Sequence, residues 1–100
     1  MKQKEVSASS RPLFLLGQIV ATPNALRILT THEIAPMTLL MRHQSGDWGE
    51  LVAEDRHQNF FAVRAGLRIL SNYQLGEGHR IWIITEADRS STTILLPDEY

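Results

Sequence analysis

The sequence predicts a single α+β domain, with helices first and an antiparallel sheet after them. Three observations lead there. Apolar residues recur at helical spacing between proline starts and glycine stops over roughly the first two thirds of the chain. From Leu67 the apolar period changes to two. The chain has 100 residues, 43% hydrophobic and 21% charged, an ordinary composition for one globular core.

Residues 1–11, MKQKEVSASSR, are polar and serine-rich and read as a flexible N-terminal tail, leaving 12–100 as the domain. Lys2, Lys4 and Arg11 ahead of the apolar stretch Leu13–Ala21 imitate a secretory signal. Gly17 and Gln18 interrupt that stretch, and the amphipathic pattern beyond Pro23 suits a folded start better. The stretch is also too short to span a bilayer. A cytoplasmic chain without membrane contact is expected.

In LGQIVATPNALRIL an extended segment, a candidate extra strand, turns into a helix. Thr22 suits the N-cap and Pro23 the first helical position. Ala25, Leu26, Ile28 and Leu29 supply the apolar side. A second helix starts at Pro36 and stops at Gly46. A third is expected from about Ala53 to Ala65, with Glu54 and Asp55 where the helix dipole favours negative charge and Gly66 as a left-handed cap. Phe60, Val63 and Leu67 continue along its apolar side.

Three strands follow in LRILSNYQL, RIWIITEA and STTILLP. Their connections are too short for anything but antiparallel neighbours, so the helices are expected to pack on a three-stranded meander. With Glu77-Gly78 as the first loop, Tyr73 faces Trp82 and Ser71 faces Ile84. With Asp88-Arg89 as the second, Trp82 faces Leu95 and Ile83 faces Ile94. One face then carries Leu67, Ile69, Tyr73, Trp82, Ile84 and Leu95, and the other Leu70, Ile81, Ile83, Ile94 and Leu96. Both are apolar, whereas a sheet with one wet face alternates. The helices cover one side. PLFLLGQIV, a second copy of the chain or another protein must cover the other.

The net charge is −1 and the isoelectric point near 6.4, so no global field draws the chain to nucleic acid or anionic membrane. Cysteine is absent, which removes disulfides, thiol chemistry and thiolate metal sites. Both lysines lie within the first four residues, and every other basic residue is arginine, the cation favoured at interfaces.

No nucleophile elbow, phosphate-binding loop, dinucleotide fingerprint or HExxH motif occurs, so catalysis has no positive signal. No cofactor and no metal are expected. His43 lies four residues before Asp47, but Gly46 breaks the helix that would align them. His57 and His79 lack a partner at informative spacing and read as surface residues. The expected contact residues are Ile81, Ile83 and Ile94 on an apolar sheet face, Trp48 in the GDWGEL loop, whose plainer role is to anchor that loop against the core, and Glu86, Asp88 and Arg89 at the EADRSS turn. Asp88 also has a plainer role there, bonding its own turn's backbone. The expected partner is a protein or a second copy of the chain.

The stretches LGQIVATPNAL, GDWGEL and IWIITEADRSSTTILLPDEY resemble a family of small plasmid-related bacterial proteins, over about residues 16–100. Members are often labelled as a type I restriction enzyme modification subunit. This chain has neither the Asn-Pro-Pro-Tyr/Phe motif nor the glycine-rich methyl-donor loop of a methyltransferase. The resemblance implies a home on mobile elements and supplies no catalytic residues. Small proteins of that setting often blunt host defences by binding them, so an anti-restriction or anti-CRISPR inhibitor is the functional expectation. The alternative is a ribonuclease toxin of the RelE or BrnT kind, which would draw on Arg68, Tyr73, His79, Arg80 and Arg89.

Overall fold

The computed structural model describes residues 11–100; the expected tail, apart from Arg11, falls outside them. Four strands and three helices follow in the order β1 (Gln18–Ala21), α1 (Pro23–Thr31), α2 (Pro36–Gln44), α3 (Ala53–Ala65), β2 (Ile69–Gln74), β3 (Arg80–Thr85) and β4 (Ser91–Leu95), closed by a 3₁₀ turn at Pro97–Glu99. The α+β class is as expected. The sheet is larger than the expected meander: its order is β1-β4-β3-β2, with β1 parallel to β4 and the other pairs antiparallel.

The local signals act as their chemistry dictates. Thr22 caps α1 by accepting from the Ala25 amide at 3.1 Å, and Pro23 opens the helix. Gly66 ends α3 in the left-handed region, and Glu54 and Asp55 occupy its first turn. Gly17, at φ +67°, is required for packing as well as for its turn. A Cβ there would collide with the carbonyls of Arg89 and Ser90, so glycine lets the chain enter β1 against the β3–β4 corner.

All three helices lie on one face of the sheet. Ala25 and Leu29 of α1, with Leu39 and Leu40 of α2, pack on Tyr73, Ile81, Ile83 and Ile94. Ala62 of α3 packs with Phe14, Trp48 and Ile69. Each fully buried isoleucine of this set contributes about 1.5–3 kcal/mol of transfer free energy. The buried side of α3 differs from the expected one: Asn59 and Ala62 are buried, whereas Phe60, Phe61 and Leu67 stay about half exposed. Asn59 takes that place because its amide bonds both backbone groups of Leu70, donating at 2.7 Å and accepting at 3.3 Å.

The second hairpin has the expected register, with Trp82 opposite Leu95 and Ile83 opposite Ile94. The first is shifted by one residue: Tyr73 faces Ile81 and Ser71 faces Ile83. Leu75 and His79 still pair through a 2.8 Å hydrogen bond, so the loop is Gly76-Glu77-Gly78 rather than Glu77-Gly78 alone. An odd loop moves the pairing by one and exchanges the faces of β2 relative to β3. Ile69, Ser71 and Tyr73 therefore join Ile81, Ile83 and Ile94 under the helices.

The PLFLLGQIV segment divides its roles. Phe14 enters the helix-side core, and the segment's end becomes β1, bonded to β4 from Gln18 N to Ser90 O at 3.0 Å. It widens the sheet, and among the described residues no helix lies on the outer face, where Ile84 and Leu95 are nonetheless buried. No helix among the described residues is long and apolar enough to cross a membrane.

Candidate functional site

The outer face, turned away from the helices, carries Arg68 and Leu70 from the β2 side, Arg80, Trp82 and Ile84 from β3, Leu95 from β4 and Val20 from β1, by strand alternation and register. Val20 is 45% exposed and Trp82 half-buried. Among the described residues, the last turn is what returns to this side. The Tyr100 ring meets Trp82 edge-on at 5.7 Å, and its hydroxyl accepts from the Arg68 guanidinium. Glu99 secures that turn. Its carboxylate accepts from the Leu96 amide at 2.9 Å, from Thr22 Oγ1 at 2.7 Å and from Asn24 Nδ2 at 3.1 Å. These donors hold the Glu99 carboxyl below the usual glutamate range, the Leu96 amide contributing most.

The EADRSS corner is built from its own backbone. Asp88 is exposed and accepts from the Ser90 amide at 3.0 Å, as its plainer role requires. Glu86 is half-buried, and its carbonyl accepts from the Arg89 amide at 2.9 Å. Arg89 takes a left-handed φ of 60°. Its guanidinium donates to the carbonyls of Leu67 at 2.6 Å and Ala62 at 2.9 Å, and to those of Glu86 and Ala87. Ala62 O lies in the last turn of α3, where it also accepts from the Gly66 and Leu67 amides and where the helix dipole favours a cation. Arg89 thus ties α3 to the β3–β4 corner.

Four of the expected contact residues are interior. Trp48, Ile81, Ile83 and Ile94 are each at most 1% exposed, so the helices rather than a partner cover them. Trp48 lies among Phe14, His43 and Phe60, with ring centroids 5.4–6.2 Å away. The GDWGEL loop that carries it is held by Tyr73, whose hydroxyl donates to the Asp47 carbonyl at 2.6 Å.

His43 and Asp47 do not meet. Asp47 pairs with Arg42 at 2.7 Å, which holds its carboxyl below the ordinary range. His43 points into the core, where Nδ1 lies 2.6 Å from Ser71 Oγ and Nε2 lies 2.9 Å from Thr85 Oγ1. Thr85 bonds Thr92 at 2.7 Å, and Thr92 donates to the Leu16 carbonyl at 2.7 Å. A carbonyl only accepts, so the chain has one direction: Thr85 donates to Thr92, His43 Nε2–H donates to Thr85, and Ser71 donates to Nδ1. Desolvation lowers the His43 pKa to about 3. Ser71 and His43 are wholly buried, so their contact organises the core and offers no nucleophile to a substrate.

His79, expected as an unpaired surface residue, is half-buried beside His32. His32 Nε2 and His79 Nδ1 are 2.8 Å apart with the rings nearly perpendicular. Glu77 brings a carboxylate to the same place, and one ligand atom from each of the three lies within 4.8 Å of the others. His57 is exposed on α3, as expected. A separation of 47 residues hid the histidine pair from sequence reasoning; the only local signal was a histidine directly after a glycine-rich turn.

The residues a ribonuclease reading requires are not gathered on one surface. Tyr73 is in the core, Arg89 binds carbonyls, and His79 pairs with His32, leaving Arg68 and Arg80 on the outer face. Compared with known proteins, the chain matches no family model, no curated protein and no solved structure.

Proposed function

We propose that the chain acts by binding a protein partner through the outer face of its sheet, without chemistry of its own. The observation that carries this is the pairing of aromatic and arginine side chains on a face that has no helix layer among the described residues: Trp82 and Tyr100 beside Arg68 and Arg80, flanked by Val20. Aromatic residues and arginine are enriched at protein interfaces and dominate their energetics. The overall charge of −1 gives a weak drive toward phosphate backbones, which favours protein over nucleic acid. With the plasmid-related resemblance, the partner class we propose is a component of a host defence system, inhibited by occlusion.

The test pairs a functional readout with a binding one. Expression in a restricting or CRISPR-immune bacterial host is expected to raise the plating efficiency of a targeted phage or plasmid. Trp82→Glu is expected to abolish that gain and to release the co-purifying defence protein, while circular dichroism stays that of the parent. Full protection by a folded Trp82→Glu protein would overturn the choice of face. Growth arrest on expression, relieved by Arg80→Ala, would favour the toxin reading instead.

A further inference from the structure

We propose that His32, Glu77 and His79 form a binding site for one divalent first-row transition cation, with zinc the expected occupant. The site uses neither Trp82 nor Tyr100 and is independent of the binding reading above. Its donors come from two separate places: His32 is the C-cap residue of α1, while Glu77 and His79 belong to the β2–β3 hairpin. The fold brings them together across 47 residues.

Two features make this more than a chance encounter of polar side chains. The two imidazoles turn ring nitrogens toward each other at 2.8 Å, with planes at 89°, so both edges converge on one point. Glu77 holds φ +59°, a region that its glycine neighbours Gly76 and Gly78 would occupy at lower cost. The strained position nonetheless bears the carboxylate that completes the set.

The donor chemistry selects the ion. Imidazole nitrogens with one carboxylate suit zinc, nickel or cobalt, whereas calcium and magnesium require mostly oxygen donors. Three protein ligands with a fourth position left to water is a familiar zinc arrangement. Without metal, one imidazole N–H donates to the other ring. Loading needs lone pairs on both facing nitrogens, so the hydrogens must sit on His32 Nδ1 and His79 Nε2. Each ring stays neutral, and the carboxylate offsets part of the ion's charge. Metal–nitrogen bonds of about 2.0–2.1 Å in a tetrahedron place the nitrogens about 3.3 Å apart, so the pair opens by about half an ångström. His79 also lines a shallow cavity of about 250 Å³ with Ile28, Arg80, Leu96 and Asp98, which gives solvent access to the site. The bound ion would clip the end of α1 to the hairpin.

The experiment is calorimetric titration of the full chain, stripped with chelator, by zinc chloride, repeated with His32→Gln, His79→Gln, Glu77→Gln and, as a control, His57→Gln. One equivalent is expected to bind the parent and His57→Gln alike. His32→Gln and His79→Gln are each expected to weaken binding by at least about tenfold, the scale seen even for residues that only support a ligand. Glu77→Gln is expected to weaken it too, and because Glu77 is exposed this variant keeps its fold and the test remains decisive if a histidine variant does not. Ring-proton NMR on the parent is expected to show zinc shifting His32 and His79, with His43 and His57 unmoved. No saturation at millimolar zinc, or equal affinity in the folded variants, would overturn the site.

Discussion

Thr22 Oγ1 donates a 2.7 Å hydrogen bond to Glu99 Oε1, joining the cap of the first helix to the last turn of the chain across 77 residues. The same hydroxyl oxygen accepts from the Ala25 amide, so one threonine both starts α1 and anchors the C-terminus. The anchor matters because Tyr100, the next residue, lies against Trp82 on the outer face. Glu99→Ala is expected to free the turn and expose Trp82, read as a red shift of tryptophan emission, since Trp48 stays buried. The folded-state pKa of Glu99 is depressed, so the anchor is complete above the ordinary glutamate range and is lost as pH falls through the folded value. Acid release of the Tyr100 ring should be visible by NMR before the core unfolds.

His43 makes global stability depend on pH in a defined direction. Its folded pKa is about 3, below the 6.5 of the free side chain, through desolvation. The unfolded chain therefore binds one more proton between those values. The contribution is complete above about pH 6.5 and is lost as pH falls toward 3. Within that window this group adds a slope of about 1.4 kcal/mol per pH unit to the unfolding free energy. Urea denaturation across pH 4–6 should show that component disappear in His43→Gln, compared with the parent at each pH. An unchanged slope would contradict a buried neutral imidazole.

Arg89→Ala is expected to destabilise the domain by about 1–3 kcal/mol, because the partly buried carbonyls of Ala62 and Glu86 lose a charged donor. The loss should concentrate at the end of α3, read as faster amide exchange around Gly66 and Leu67. The exposed neighbour Asp88 should show a much smaller effect on replacement by asparagine, which preserves the turn's acceptor.

Adjacent residues on β3 should behave in opposite ways. Ile83 is wholly buried, so Ile83→Glu places an unpaired carboxylate in the core and is expected to unfold the domain, at a cost of about 4 kcal/mol or more. Trp82 lies half-buried on the outer face, so Trp82→Glu is expected to stay folded. Circular dichroism and thermal melts of the two proteins test the sheet's orientation directly. A folded Ile83→Glu protein would reverse the faces.

Much of the architecture was legible because local chemistry determined it. Thr22-Pro23, Pro36, Gly66 and the period-two runs after Leu67 each act within a few residues of themselves, and the helices and strands stand where these signals place them. The candidate sites were less legible. Two-sided apolar alternation implied cover on both faces of the central strand; the helices cover one of them, and the alternation did not say which. A one-residue difference in the Gly76–Gly78 loop put Ile69 and Tyr73 on the face of Ile81, Ile83 and Ile94, and that is the face the helices cover.

By itself the sequence determined the α+β class, three helix positions and the pairing of β3 with β4, because capping, backbone restriction and short connections operate at short range. Only the tertiary structure decided that Gln18–Ala21 runs parallel beside β4, that Arg89 binds the end of α3 and that His43 is sealed in the core. It alone brought His32 to His79 and Thr22 to Glu99. Such contacts join residues far apart in the chain, and no local spacing encodes them. They form where the packing of helices on the sheet brings complementary donors and acceptors to the same point.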